Sequence, residues 1–249
     1  MRQLRRVCEL RTYTLRATDG DVGSVEDLYV DDESWAVRYL VVNTDGWLLG
    51  RRVLLAPVAI ARIDEAPRLI HLVLDRDQIE RCPPPDSAKP VSRAYEDALY
   101  RHFQWAPYWL PGPSPLVYPT RPWLITPYPP ITSGPLDQPH LRSSAQITGY
   151  SIQASDGTIG HVEDVVVDDE EWHLRYLEVD TREWLPGKRV LVSSAWIDHI
   201  SWTDRSVVMT LSQEAIQSAP AYDPSKLITP EYELELFEHY GGGRTGKTQ

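Results

Sequence analysis

Residues 155–192, SDGTIGHVEDVVVDDEEWHLRYLEVDTREWLPGKRVLV, repeat residues 18–55, TDGDVGSVEDLYVDDESWAVRYLVVNTDGWLLGRRVLL, at a fixed offset of 137 positions and without a gap. The correspondence runs outward through Tyr13 and Tyr150 on one side, and on the other from YEDALYRHF (95–103) to YELELFEHY (232–240). About 36 of roughly 94 aligned positions are identical, far above chance, and so long an offset marks two copies of a whole domain rather than a solenoid. The chain therefore divides into a first copy with its helix (1–103), a connector (104–146), a second copy with its helix (147–240) and a disordered tail (241–249).

Within each copy the strand signals are short and punctuated by turns: CELRTYTLRA, Asp19-Gly20, VGSVEDLYV, the DDES turn, WAVRYLVVN, Asp45-Gly46, RRVLLA and RLIHLVL. Regular spacing of this kind predicts a mainly β fold, two small barrels in tandem. Apolar residues at Val22, Val25, Leu28 and Val30 break strict alternation and predict a β-bulge, which Gly23 and Gly160 tolerate. A short helix ending at Pro83 or Pro220 follows. A longer one comes next, capped by Ser92 or Thr229, with a stripe of Tyr95, Leu99 and Phe103, or Tyr232, Leu236 and Tyr240, that should dock on its barrel.

The 249 residues are 42% hydrophobic and 24% charged, ordinary for a folded soluble protein. Two cysteines, Cys8 and Cys82, form neither a disulfide framework nor a zinc motif and suit a reduced, cytoplasmic setting. No apolar run reaches the length of a membrane span. The formal charge of −11 is concentrated late: residues 147–249 hold 18 acidic and 8 basic groups, against 17 and 15 in residues 1–103. That balance argues against nucleic acid as a partner. The connector holds 11 of the 21 prolines. It also carries Trp105, Tyr108, Trp109, Tyr118, Trp123 and Tyr128, and so predicts a semi-rigid segment with several rings packed on the barrels rather than a solvated spacer.

The pattern DGxxGxVEDxxVDDExWxxRYLxV, with the following GxRVLL, resembles the PRC-barrel family, small β-barrel domains similar to the cytoplasmic part of the photosynthetic reaction-centre H subunit and to a domain of ribosome-maturation factors. The resemblance spans residues 10–85 and 147–222, and the layout is similar to that of bacterial tandem PRC-barrel proteins. It implies a fold and a habit of binding other proteins, without shared catalytic residues, cofactor or metal ligands. Neither the H subunit's membrane-spanning helix nor the ribosome factors' RNA-facing companion domain is expected from these residues, so neither specific role is expected to transfer directly.

Of the candidate sites, Gly241–Thr248 fits the phosphate-loop pattern, but its three successive glycines, with only Gln249 beyond it, lead to the expectation of a frayed tail rather than a nucleotide site. The acids Asp19 to Glu33 miss the spacing of a helix-loop-helix calcium site. Glu26 and Asp27 with Arg38 and Tyr39, recurring as Glu163 and Asp164 with Arg175 and Tyr176, predict cross-strand ion pairs that fix register. His102 and His239 fall at helix C-termini, where a cationic imidazole caps. No nucleophile–base constellation is apparent. The expectation is a non-enzymatic protein-binding adaptor or scaffold whose two barrels pair within the chain, with a basic partner meeting the acidic second copy. A peripheral membrane complex, contacted through Arg2, Arg5, Arg6 and Arg11, and a ribosome-associated role are the alternatives.

Overall fold

A computed structural model describes residues 2–44, 47–48, 50–85, 91–109, 141–181 and 188–241. The elements of the first repeat are β1 (Leu4–Arg6), α1 (Val7–Leu10), β2 (Thr14–Ala17), β3 (Gly20–Asp31), β4 (Val37–Asn43), β5 (Arg52–Leu55), β6 (Ile60–Asp64), β7 (Leu69–Leu72), α2 (Arg76–Glu80) and α3 (Arg93–Phe103). Those of the second are β8 (Leu141–Ser143), α4 (Ser144–Ile147), β9 (Ser151–Ala154), β10 (Gly157–Asp168), β11 (Leu174–Asp180), β12 (Arg189–Ser193), β13 (Ile197–Ser201), β14 (Ser206–Met209), α5 (Gln213–Ser218) and α6 (Pro230–Gly241).

Each unit holds a seven-stranded sheet, in keeping with the mainly β fold that the strand spacing predicts. The order is β5-β4-β3-β2-β7-β6 in one and β12-β11-β10-β9-β14-β13 in the other, antiparallel except for the parallel pairs β2/β7 and β9/β14. The twelve-residue strands β3 and β10 organise both sheets. In β3 the register slips at Val22 and again at Glu26, so each leaves one residue without an opposite number. Such bulges bend a strand and raise its twist, which lets one strand pair with β2 at its start and with β4 further on. The bulge expected from the broken alternation is present. Leu15, Val22, Val25, Leu28, Leu40, Val42, Val53 and Ile70 are at most 2% exposed, as are Ile152, Ile159, Val162, Val165, Leu177, Val179, Val190 and Val207, the same eight positions of the second repeat.

The DDES turn forms for an identifiable reason: Asp31 Oδ1 accepts from the backbone N–H of Glu33 (3.1 Å) and Ser34 (2.9 Å), and Asp168 does the same for Glu170 and Glu171. A short acid that bonds its own backbone stabilises a turn better than a longer side chain does. Ser92 caps α3 through the Tyr95 amide, and Thr229 caps α6 through that of Tyr232, both as expected.

The two compact units do not coincide with the two repeats. One comprises residues 9–143 and the other residues 1–8 together with 144–249. The sequence division places residues 1–8 with the first repeat; the structure places them with the second. β1 pairs with β10, while β8, its equivalent at the 137-residue offset, pairs with β3. The repeats have thus exchanged their first strands, and the side chains follow the exchange. Arg5 bonds Asp169 in one unit (2.6 Å), and Arg142 bonds Asp32 in the other (2.9 Å). Arg6 meets Asp164 (3.4 Å), and its equivalent Ser143 donates to Asp27. A repeat period read from sequence identifies equivalent strands but not which sheet each completes, because the same edge is available in both.

Candidate interaction surfaces

The longer helix of each repeat is held to its sheet by one tyrosine–glutamate bond. Tyr39 on β4 is fully buried and donates to Glu96 of α3 (2.8 Å); Tyr176 on β11 donates to Glu233 of α6 (3.1 Å). Helical spacing places the acid on the inward face beside Leu99 and Phe103, or Leu236 and Tyr240, all of which are buried. Tyr240 adds a bond to the Leu191 carbonyl (3.0 Å). His102 and His239 bond the carbonyls of Gln78 in α2 (2.7 Å) and Ala215 in α5 (2.8 Å). Both histidines therefore tie the long helix to the short one before it, a correction to the expected cap on their own helix.

Around that shared bond the two units diverge. In the first, the chain leaving α3 turns back over it: Tyr108 also donates to Glu96 (2.8 Å), and Arg93 pairs with the same carboxylate (2.8 Å). Trp105 and Trp109 pack edge-on against Tyr100, with ring centroids 5.6 and 4.8 Å away. Burial raises the Glu96 carboxyl above its usual range despite these three partners. In the second unit Arg2, carried in beside the exchanged strand, fills the cationic role with two bonds to Glu233 (2.9 and 3.0 Å). Nothing among the described residues covers the outer face of α6 in the way Trp105 and Trp109 cover α3. Phe237, the equivalent of Tyr100, is 73% exposed, Leu234 57% and Leu227 74%. Exposed Glu231, Glu235 and Glu238 stand on the same helix.

The predicted pairing of Glu26 and Asp27 with Arg38 is replaced by a different set. The bulge at Glu26 and a second irregularity between Tyr29 and Val30 place Asp27 opposite Val41 and carry Arg38 toward the turn. Arg38 there pairs with Asp31 (3.1 Å), as Arg175 does with Asp168 (3.4 Å) and Glu171. Glu26 instead bonds Arg52 of β5 (2.9 Å), and Glu163 bonds Arg189 of β12 (2.9 Å). Asp27 and Asp164 hold the exchanged strands. Trp105 and Trp109 are half-buried on α3; residues 141–146, expected as part of the connector, instead form β8 and most of α4, and Gly241, expected in the tail, ends α6, whereas Trp123 with residues 110–140 and residues 242–249 lie outside the described residues. The arginines of the chain's start are spoken for. Arg2 pairs with Asp168 and Glu233, Arg5 with Asp169, Arg6 with Asp164 and Glu178, and Arg11 with Asp27. That leaves little of the cationic patch on which lipid contact was expected.

A cleft of about 660 Å³ in the first unit is lined by Tyr29, Arg52, Pro84, Pro85, Tyr95 and Glu26 among others. Among the described residues its one carboxylate, Glu26, is tied to Arg52 as an ion pair. No helix among the described residues is long and apolar enough to cross a membrane. Sequence reasoning missed two features. The uncovered face of α6 shows in sequence only as the change from DALYR to LELFE, which reads as added acid rather than as exposed apolar surface. The meeting of His161, Glu163 and Asp180 was hidden because its members lie on two strands.

A comparison with curated proteins finds no match to the chain. The sequence model of the PRC-barrel domain family matches residues 140–215, from the start of β8 into α5. The matched span includes β8, the strand that the structure pairs with β3 in the other unit. The first repeat has the same strand order and the same pairings. Residues 140–215 of this chain are thus a PRC-barrel domain.

Proposed function

We propose that this is a tandem PRC-barrel protein, cytoplasmic and non-enzymatic, which works as a protein-binding adaptor or scaffold through the outer face of α6. The observation that carries the reading is the contrast between equivalent helices: Tyr100 lies under two tryptophans, while Phe237 and Leu234 stand in solvent. Exposed large apolar side chains on a helix rimmed by charge mark contact surfaces for partners. The surrounding glutamates select a partner that is basic as well as apolar, and the cover on α3 indicates its chemistry, aromatic side chains laid edge-on across the helix. Two free cysteines suit a reducing compartment.

The test is capture from the native host by the full chain and by a Leu234→Asp/Phe237→Ser variant, each at low and high salt. The proposal expects a discrete basic protein bound by the parent chain, weakened as salt rises and lost in the variant. Equal capture by both chains would sink it.

A further inference from the structure

His161 and Asp180 sit directly opposite each other on β10 and β11, and Glu163 is the bulged residue two positions along the same strand. One ligand atom from each lies within 4.8 Å of the other two, and His161 Nε2 is 3.7 Å from Glu163 Oε2. A tetrahedral zinc site, with bonds of about 2.0–2.2 Å to nitrogen and oxygen, needs its ligand atoms roughly 3.4 Å apart. His161 and Glu163 are partly exposed, so closing the difference asks for movement of side chains that face solvent rather than of the buried Asp180. Asp180 is 2% exposed and supplies a fixed wall. Arg189 engages the other carboxylate oxygen of Glu163 (2.9 Å), which orients Oε2 toward the imidazole.

The first repeat supplies an internal control. Its equivalent positions are Ser24, opposite Asn43, and Glu26, bonded to Arg52. The glutamate–arginine pair and the bulge are therefore common to both sheets, while the imidazole and the second carboxylate belong to one. The sheet does not need them, since its twin forms with serine and asparagine there. Close approach of the strands is also built in: Gly160 has φ +65°, and a Cβ added there would come within 2.0 Å of the Asp180 carbonyl oxygen.

We propose that His161, Glu163 and Asp180 bind a divalent transition-metal ion, zinc by the chemistry of an imidazole with two carboxylates, and leave its remaining position to water or to a partner's side chain. The site is independent of the α6 surface, so either reading stands if the other fails. The experiment is titration of the full chain, freed of metal, with Zn²⁺ by calorimetry and with Co²⁺ by visible absorption and proton NMR. The parent chain should bind one ion, and the resonances of His161, among the seven histidines, should respond first. His161→Ser/Asp180→Asn, which installs the first repeat's own residues, should melt as the parent does in chelator. It should lose affinity by at least about 10–100-fold, the loss that even an outer-layer partner of a metal site causes. Unchanged affinity in that variant, no binding by the parent, or a first response at another histidine would each overturn the proposal. The NMR readout decides the matter even if the variant misfolds.

Discussion

Arg6 and Glu178 offer the sharpest test of the strand exchange. Arg6 lies on β1, Glu178 on β11 is fully buried, and the two approach to 3.3 Å. At the equivalent positions the other unit has Ser143 and Val41, so a charged pair in one sheet stands where the other has a small polar residue and an apolar one. Removing one member of a buried pair typically costs about 3–5 kcal/mol, because the other charge is left uncompensated. Glu178 retains Arg189 at 2.7 Å, so Arg6→Ser should cost less, about 2 kcal/mol. Adding Glu178→Val should restore most of that loss, a coupling within the range of about 0.5–3 kcal/mol found for residues in contact. The assay is urea denaturation of both single variants and the double, with hydrogen exchange to locate the weakened strands. Protection should fall in β10 and β11, not in β3 and β4, although residue 6 belongs to the first repeat. The loss should also depend on pH. Burial holds the Glu178 carboxyl above its usual range, and removing Arg6 raises it further. A carboxyl whose folded value lies above its unfolded one penalises the fold at high pH and is relieved as pH falls through the folded value. The defect of Arg6→Ser should therefore shrink from pH 8 toward pH 5. Zero coupling, a defect that grows in acid, or lost protection in β3 would refute the exchange.

Other outcomes follow from the same geometry. Tyr39→Phe removes a donor from buried Glu96 and should cost about 1–3 kcal/mol in urea denaturation; Tyr176→Phe should cost less, because Glu233 is more exposed and held by Arg2. A larger loss in the second repeat would contradict this. Gly160→Ala meets the Asp180 carbonyl and a left-handed backbone together, and should lose more than the roughly 1–2 kcal/mol of the backbone effect alone. Neutral behaviour would mean that the strands sit further apart. Leu234→Asp/Phe237→Ser should leave stability within about 0.5 kcal/mol, as expected for side chains more than half exposed among the described residues. A marked drop in melting temperature would place them in a core. Burial pushes the Cys82 thiol up to about 11, so iodoacetamide at pH 8 should label Cys82 at least about tenfold more slowly in the folded chain than in the unfolded one.

Much of the fold was legible in the sequence, and the reasons are local. A bulge in the long strand, the Asp31 turn and the caps at Ser92 and Thr229 each depend on residues within a few positions of one another, whereas CELRTYTLRA, read as one strand, opens in α1 and is strand only over Thr14–Ala17. The repeat then doubled every signal. What escaped depends on long-range choice. Glu26 found Arg52 rather than Arg38 because a bulge shifts register by one residue, and composition cannot count that residue in advance. β1 and β8 are equivalent in sequence, so which sheet each completes is decided by the path of the chain between them. The candidate surfaces were half visible. The acid on α6 could be read directly, but the exposure of Phe237 could not, because its counterpart Tyr100 is buried by residues 105–109 and not by anything on the helix itself.

The claim that the second repeat's helix is the docking face is tested most directly by placing a photoreactive benzoylphenylalanine at position 237 and, separately, at position 100 of the full chain in its native host. Irradiation should give one discrete cross-linked protein from position 237, lost at high salt, and none from position 100, where tryptophans already cover the ring. The same adducts from both positions, or none from 237, would contradict the account.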